Sequence, residues 1–201
     1  MLKKQIVYER DKLSEADFVG SFTDVMQMPT DLREICLMGK SNSGKSTLIS
    51  SLIRNSSNVK ISKSPGSTKT VNFFKLGNLH LVDLPGYGYA KTSHSGRNLL
   101  SEIIDHYLTL RKNIAAAFLL LDCNRDLGEA EEYLVELMRQ RNIPLILILT
   151  KIDRLNQKEM SFLNKKIKDY FETYFFQVFA VSGKKRENLL PLLNYIRSLG
   201  G

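Results

Sequence analysis

Cysteine is scarce in this sequence, and long apolar runs are absent. Only Cys36 and Cys123 occur among the 201 residues, which predicts reduced thiols in the cytoplasm and excludes a disulfide framework. No stretch of 18 apolar residues is present, and no apolar core follows the basic N-terminus. We therefore expect neither a transmembrane helix nor a secretory signal. The three histidines are scattered without metal-ligand spacing, so no role is assigned to them.

The length and composition are those of an ordinary globular chain. Hydrophobic residues make up 43% and charged residues 25%, and 201 residues correspond to about one domain of roughly 150 residues. We predict a single domain over residues 34–201, with residues 1–33 as an N-terminal extension packed on it. We expect the chain to be a monomer.

Acidic residues are rare in the middle of the chain. The net charge is +8, and residues 40–97 contain nine Lys and Arg against Asp83 alone. Residues 150–201 contain ten basic residues against five acidic ones. The first excess predicts a polyanionic ligand near residues 40–97. The second predicts either a surface that contacts RNA or a solvated charged face.

Short apolar runs alternate with helical patterns along the chain. The predicted strands are 34–39, 70–76, 80–84, 115–122, 144–150 and 175–181. The predicted helices are 45–54, 97–112, 126–141, 158–174 and 187–199. This order predicts an α/β fold with a doubly wound, mostly parallel six-stranded sheet and helices on both faces. The turn pair Gly77–Asn78 predicts one antiparallel edge hairpin.

A phosphate-binding motif directly follows the first predicted strand and precedes a helix. Its glycines let successive backbone N–H groups face inward and form an anion nest at the helix N-terminus. Lys45 is placed to reach the β- and γ-phosphates of a nucleotide, and the Ser46 hydroxyl to ligate Mg²⁺. The predicted nucleotide-binding residues are Gly39, Lys40, Ser41, Asn42, Ser43, Gly44, Lys45 and Ser46.

A second motif, Asp83-Leu84-Pro85-Gly86, follows the third predicted strand. Asp83 can hold Mg²⁺ through its water shell, and the Gly86 N–H can contact a γ-phosphate. Between the two motifs lies a polar loop over residues 64–70, where a threonine hydroxyl could complete the magnesium shell. Thr68 and Thr70 both qualify by their spacing.

The fifth predicted strand ends in Thr150-Lys151-Ile152-Asp153. A carboxylate here can accept hydrogen bonds from both N1–H and the N2 amine of guanine, whereas adenine has no such donor pair. The Lys151 stem can pack on the base. The backbone N–H groups of Ala180, Val181 and Ser182 could meet the guanine O6. The alternative to a base-binding role is that Lys151 and Asp153 form a surface ion pair. Asp153 also argues against a second class of protein, an adenine-specific kinase or ATPase.

These motifs closely resemble those of the bacterial EngB (YihA/YsxC) GTPases, in the translation-factor-like branch of P-loop GTPases. The resemblance rests on GKSNSGKS, PGST, NFF, DLPGYGYA and TKID. It implies that Thr68 is the switch threonine, a magnesium ligand and, with Lys45 and Gly86, part of the catalytic set. It also implies a switch in assembly of the large ribosomal subunit, with that subunit or its rRNA as partner, needed for normal division and septation. The loop residues that it assigns to nucleotide binding are Gly66, Ser67, Thr68, Lys69 and Thr70.

Two details bear on the rate of hydrolysis. Tyr87 follows the DxxG motif, where many GTPases have a water-orienting glutamine, so we predict slow intrinsic hydrolysis. Asn42 in the phosphate loop either helps to seat K⁺ or simply shapes the loop. A guanine-nucleotide signalling switch that acts through a protein partner, without ribosome binding, is the alternative function. No lipidation motif supports a membrane-bound version.

Overall fold

The structure, a computed structural model, describes residues 17–53, 70–88 and 102–200 of the chain. Four predicted nucleotide-binding residues lie outside these ranges, namely Gly66, Ser67, Thr68 and Lys69. Six of the nine basic residues between positions 40 and 97 also lie outside them, namely Arg54, Lys60, Lys63, Lys69, Lys91 and Arg97.

A mixed seven-stranded sheet organises the described residues. The strands are β1 (Asp17–Phe22), β2 (Arg33–Gly39), β3 (Val71–Leu76), β4 (Leu79–Asp83), β5 (Ile114–Asp122), β6 (Leu145–Thr150) and β7 (Gln177–Ala180). Their order across the sheet is β1-β3-β4-β2-β5-β6-β7. Strands β4, β2, β5, β6 and β7 run parallel, whereas β1, β3 and β4 pair antiparallel. The predicted α/β class and edge hairpin are confirmed, and Gly77 makes the hairpin turn with a positive φ of 58°.

The predicted count of six strands is wrong, because β1 adds a seventh. It pairs with β3 at the edge of the sheet, with a register shift between Phe18 and Gly20. Most of its residues are exposed, so they lack the buried apolar pattern that identifies the other strands. Its aromatic rings pack across the strand pair, with Phe22 edge-on to Phe73 at 5.5 Å between centroids. The division between residues 1–33 and 34–201 stays a prediction.

Within the described residues, five main helices flank the sheet. They are α1 (Lys45–Leu52), α2 (Glu102–Leu110), α3 (Glu129–Gln140), α4 (Gln157–Lys166) and α5 (Leu189–Gly200). The sequence predicts one helix over 158–174, but α4 ends at Lys166 and is followed by a π-helical turn over Ile167–Phe171 and a short turn over Glu172–Tyr174. No helix within the described ranges has both the length and the apolar character needed to cross a bilayer.

Alternating side chains of the central strands build two separate cores. Ile35 and Leu37 of β2 pack in one core with residues of α1 and α5. Cys36 and Met38 of the same strand pack in the other, with residues of α2, α3 and α4. Both faces of the sheet are therefore covered, which leaves the strand ends as the place for a ligand.

Candidate nucleotide site

The predicted motifs meet at the carboxyl edge of the parallel strands. Strand register places Asp83 beside Leu37, which lies in β2 two residues before Gly39. It also places Gly39 beside Leu120, and Asp122 beside Thr150. Because parallel strands end at the same edge, segments far apart in the sequence form one continuous rim.

The phosphate loop curls tightly between β2 and α1. The Ser43 N–H donates to the Lys40 carbonyl at 3.0 Å, and the first helical bond runs from the Leu48 N–H to the Gly44 carbonyl at 2.9 Å. Gly44 has a φ of +97°, a conformation that favours glycine. A Cβ on Gly39 would lie 2.4 Å from the Ser43 Oγ and 2.9 Å from the Leu120 carbonyl. The loop therefore needs glycine at its first position for space and at its last for backbone conformation.

Lys45 and Asp83 form a direct ion pair between the phosphate loop and β4. Their side chains are 12% and 8% exposed, so the pair is largely shielded from water. Ser46, in the first turn of α1, is exposed. A hydroxyl and a carboxylate are oxygen ligands of the kind that Mg²⁺ prefers. Within the described part of the chain, no group of three or more His, Cys, Asp or Glu side chains could hold a metal ion.

The DxxG segment, residues 83–86, lies against the phosphate loop. The Leu84 N–H donates to the Leu37 carbonyl at 3.2 Å, and the Ser41 N–H donates to the Tyr87 carbonyl at 3.1 Å. A Cβ on Gly86 would lie 2.8 Å from the Ser41 Oγ and 3.2 Å from the Ser41 Cα. A larger residue at position 86 would therefore force the two loops apart.

The residues after β6 hold the other side of the phosphate loop. The Thr150 hydroxyl lies 2.5 Å from the Ser43 carbonyl, to which it donates. Lys151 has a left-handed backbone with a φ of 63°, and its ammonium donates to the Asn42 carbonyl at 2.6 Å. It also donates to the Asp122 carboxylate at 2.7 Å. This geometry draws the Lys151 stem across the rim toward the phosphate loop, where the sequence predicts that it packs on a base.

Asp153 is held by the loop that follows β7. The Ser182 hydroxyl donates to the Asp153 Oδ1 at 2.6 Å and accepts from the Lys185 N–H at 3.0 Å. The Ser182 hydrogen bond, helped by the charges of Lys185 and Lys184, lowers the pKa of Asp153 below its ordinary value. The carboxylate is consequently charged at neutral pH, as guanine recognition requires.

The predicted contact between this loop and the guanine O6 is not supported by the backbone hydrogen bonds of Val181 and Ser182. The Val181 N–H donates to the Leu149 carbonyl at 2.8 Å, and the Ser182 N–H donates to the Glu187 carbonyl at 3.1 Å. Neither group is therefore directed at a guanine O6, the role predicted for residues 180–182. Ser182 contributes through its hydroxyl instead, because that group fixes Asp153.

Two acidic residues belong to the rim although the sequence does not mark them as site residues. Asp122 binds Lys151, and although burial raises its pKa, the hydrogen bonds from Lys151 and the Asn124 N–H lower it on balance. Its position at the end of a buried strand could have indicated it. Glu131 accepts from Lys40 at 2.9 Å and from the Tyr87 hydroxyl at 3.0 Å. No local pattern distinguishes it from the other acids in the first turn of α3.

Most of the predicted site residues thus lie along one rim, from the phosphate loop through Asp83–Gly86 and Thr150–Asp153 to Ser182. Thr70, one of the two threonines that fit by spacing, lies directly before β3. Thr68, which the resemblance selects, is outside the described residues. The individual binding roles of all these residues stay predictions.

Comparisons with known proteins identify the protein family to which this chain belongs. A family model described as "50S ribosome-binding GTPase" matches residues 34–151, more than half of the chain. Another, "Elongation factor Tu GTP binding domain", matches residues 108–199. The curated relative "Probable GTP-binding protein EngB" of Mycoplasma capricolum subsp. capricolum is 35% identical over 193 residues, which cover 94% of this chain and 98% of the relative.

Solved structures agree with this assignment. The "Crystal structure of a probable GTP-binding protein engB" has a TM-score of 0.60 and 25% identity, covering 83% of this chain and 97% of that one. Era in complex with MgGDPNP and nucleotides 1506–1542 of 16S ribosomal RNA has a TM-score of 0.58 and 21% identity, covering 85% and 57%, and shares the fold alone. The chain belongs to the 50S ribosome-binding GTPase family and to the EngB proteins, and is therefore an enzyme that binds GTP and GDP and hydrolyses GTP.

Proposed function

We propose that this GTPase is a cytoplasmic switch in assembly of the large ribosomal subunit, required for normal cell division and septation. The observation that carries the guanine-specific part is Asp153, charged and fixed by Ser182 on the rim that also holds the phosphate loop. The ribosomal part rests on the family to which the chain belongs. It is further supported by a basic face on α4, which contains Lys158 and Lys165.

In this proposal the nucleotide phosphates lie in the nest of residues 39–46, with Lys45 neutralising charge on the β- and γ-phosphates. The Gly86 N–H donates to the γ-phosphate, and Thr68 completes the catalytic set. Ser46, Thr68 and Asp83 would hold Mg²⁺, and the oxygen donors of Ser46 and Asp83 fit that ion. When bound, Mg²⁺ would neutralise charge on the phosphate oxygens. Lys45 and Asp83 pair directly, so nucleotide binding requires Lys45 to exchange Asp83 for a phosphate.

We expect intrinsic hydrolysis to be slow. The residue after the DxxG segment is Tyr87, whose hydroxyl is buried and donates to Glu131 at 3.0 Å. A phenol held in this way is not available to orient an attacking water, the task that a glutamine performs in many GTPases. A turnover above about 1 s⁻¹ by the isolated protein would contradict this expectation, since it approaches the stimulated regime.

A role for K⁺ belongs to the same proposal. Asn42 lies in the phosphate loop with a left-handed backbone, a φ of 67°, and its carbonyl accepts from Lys151. That geometry is equally suited to shaping the loop. Hydrolysis rates in KCl and in NaCl at equal ionic strength distinguish the two roles, and equal rates would exclude stimulation by K⁺.

A basic face on α4 is suited to RNA. Lys158, Phe162 and Lys165 are spaced by four and three residues, so they share one side of the helix. All three are exposed, and Phe162 is 71% exposed although it is large and apolar. Lysines interleaved with an exposed ring can neutralise phosphates and stack on a base. The Era structure, which shares the fold, contains both ribosomal RNA and MgGDPNP and offers an analogy for both ligands.

The test is co-sedimentation with large ribosomal subunits, in GDP or in a non-hydrolysable GTP analogue, at two salt concentrations. We expect tighter binding in the analogue state and weaker binding at high salt, because phosphate contacts release counterions. The K158E/K165E variant should bind more weakly. A matched control, K75E/K112E, changes the net charge equally at two exposed lysines on other elements, and should bind more nearly as the unmodified chain does.

Absence of binding in either nucleotide state would favour the alternative, a guanine-nucleotide switch that acts through a protein partner. Equal weakening by the two double variants would show a general charge effect and would remove the specific role of the α4 face. The link to division and septation is tested separately, by depleting the protein and following ribosome profiles before filamentation appears.

A further inference from the structure

A buried carboxylate joins the phosphate loop to the segment that follows the DxxG motif. Glu131, in the first turn of α3, has a side chain that is 1% exposed. Its Oε2 accepts from the Lys40 ammonium at 2.9 Å and from the Gly128 N–H at 2.9 Å. Its Oε1 accepts from the Tyr87 hydroxyl at 3.0 Å. We call these four residues the Glu131 cluster.

The surrounding backbone is shaped to allow these contacts. A Cβ on Gly128 would lie 3.1 Å from the Lys40 Nζ and 3.2 Å from the Glu131 Oε2, tighter than ordinary contacts. Gly88 has a φ of +101°, and the Lys40 stem lies over it, with the Cγ 3.4 Å from where a Cβ would be. Two glycines from separate loops therefore flank one ion pair. An ion pair on the open surface would not need glycine at neighbouring positions, so this pair is built into the packing of the two loops.

The Glu131 cluster holds the side chain of Tyr87, and the backbone of Tyr87 in turn anchors the DxxG segment that precedes it. Tyr87 is 3% exposed and belongs to the core that packs on α2, α3 and α4. Burial and the neighbouring Glu131 raise its pKa, so the phenol keeps its proton and remains a donor. Its carbonyl accepts from the Ser41 N–H, while the Leu84 N–H is held by the Leu37 carbonyl. Gly86 lies between these two attachments.

We propose that Glu131 is a positioning residue for GTP hydrolysis, which acts by holding Tyr87 and Lys40 so that Gly86 stays at a fixed distance from the phosphate loop. The inference rests on the proposed contact between Gly86 and the γ-phosphate. Fixing a donor before the reaction lowers the barrier, because the cost of ordering it is met during folding. GDP has no γ-phosphate, so its affinity should be insensitive to changes at Glu131 and Tyr87.

A simpler role for Glu131, capping α3, accounts for one of its three contacts. The bond to the Gly128 N–H is the reach-back contact of a capping box. It does not require Lys40 or Tyr87, which lie 91 and 44 residues away in the sequence. The two roles predict different results, because loss of a cap lowers stability and leaves the rate of hydrolysis per folded molecule unchanged.

The test compares Tyr87→Phe, Glu131→Gln and their combination. Phenylalanine keeps the buried ring and removes one donor, and glutamine keeps an oxygen for the Gly128 N–H. We expect each variant to lower kcat for GTP about five- to tenfold, the effect of about one typical hydrogen bond. The Kd for GDP should stay within about twofold. Because both changes remove the same hydrogen bond from the phenol to a charged carboxylate, the double variant should lose little more than either single one.

Glu132→Gln is the matched control, since Glu132 is exposed in the same turn of α3. It should change neither kcat nor the Kd for GDP. Normal or raised kcat in both Tyr87→Phe and Glu131→Gln would overturn the inference, and so would losses that multiply in the double variant. A large loss in Tyr87→Phe with none in Glu131→Gln would also overturn it, because the phenol would then act by itself.

A separate variant tests the assumption on which the inference rests. Gly86→Ala should abolish hydrolysis and retain GDP binding, because its Cβ would push the segment away from Ser41. Hydrolysis at the normal rate by Gly86→Ala would reject the proposed role of Gly86 itself. Lost hydrolysis in Gly86→Ala together with normal rates in the cluster variants would reject the role of Glu131 alone.

Discussion

The two ends of the parallel sheet both contain buried ion pairs, but they are built differently. At the amino end, Glu34 is fully buried and accepts from the Tyr107 hydroxyl at 2.6 Å and the Asn113 amide at 3.0 Å. It also pairs with Arg111, whose side chain is only 5% exposed. Arg111 in turn donates to the Met28 carbonyl at 3.5 Å. These contacts join β2 and α2 to the connection between α2 and β5 and to the chain before β2, in a closed network.

At the carboxyl end, the ion pairs surround the phosphate loop, and the cation of each pair is more exposed than Arg111. Lys45 pairs with Asp83, Lys151 with Asp122 and Lys40 with Glu131, and the three lysine side chains are 12%, 23% and 34% exposed. A partly exposed ammonium on a flexible stem can exchange its partner at little cost, whereas a buried guanidinium in a closed network cannot. We infer that the ion pairs at the amino end stabilise the fold, whereas those at the carboxyl end can exchange partners when a nucleotide binds.

The sharpest test of this comparison is Asp153→Asn at the carboxyl end. An amide cannot accept from both guanine donors, so the preference should shift from GTP toward xanthine nucleotides, by a factor approaching about 10⁴. Displacement by GTP, XTP and ATP measures the preference, with a fluorescent GDP analogue bound to the unmodified chain and a fluorescent XDP analogue bound to the variant. Asp169→Asn, at an exposed aspartate beyond α4, should keep the original selectivity. Unchanged preference for GTP would reject Asp153 as the base-reading residue.

At the amino end, Arg111→Met should lower the free energy of unfolding by about 3–5 kcal/mol, because it leaves the Glu34 carboxylate buried without its cation. Urea titration measures the loss, and the Kd for GDP of the folded fraction should be unchanged. The double variant Glu34→Gln/Arg111→Met should be less destabilised than Arg111→Met, since no buried charge remains. A raised Kd for GDP in folded Arg111→Met would contradict the distinction, because a pair at the amino end would then affect binding.

Lys45→Ala should weaken nucleotide binding by about 100-fold or more, because it removes a charge-assisted contact to the phosphates. Fluorescence titration with a GDP analogue measures the affinity, and Lys75→Ala, at an exposed lysine of β3, is the control. Affinity retained in Lys45→Ala would refute the assignment of residues 39–46 to phosphate binding.

The smallest expected effect is a difference in pH dependence between the two ends. His80 lies beside Glu34 in the sheet, and burial lowers its pKa, although the charges of Asp31 and Glu34 partly oppose the shift. The unfolded chain therefore binds a proton more readily, so the free energy of unfolding should fall as the pH drops through about 6.5. Asp153, whose pKa is lowered, keeps its charge over the same range, so its contribution to GDP affinity should not change.

Urea titrations between pH 7.5 and 5.5, paired with GDP binding, measure both quantities. His80→Phe should flatten the decline in stability, and His106→Gln, at an exposed position, should leave it in place. An equally steep decline in His80→Phe would show that another group is responsible.

Local patterns in the chain were sufficient for the motifs and for most of the sheet. The strand, loop and helix around Gly39–Ser46 are contiguous, and so are Asp83–Gly86 and Thr150–Asp153. Each was predictable because glycine, lysine and aspartate at those spacings have few other uses next to buried strands. Six strands were also recognisable, because β2, β5 and β6 have nearly continuous apolar runs and the Gly77–Asn78 turn pair marks the β3–β4 hairpin.

Tertiary structure alone decided the contacts between these segments. β1 is an exposed edge strand, so its pairing with β3 leaves little trace in the pattern of apolar residues. Glu131 meets Lys40 across 91 residues, and Lys151 meets Asp122 across 29, because parallel strands bring their carboxyl ends to one edge. The sequence by itself determined which chemistry the rim has. The register of the strands determined which charges are neighbours, since that depends on how distant segments pack.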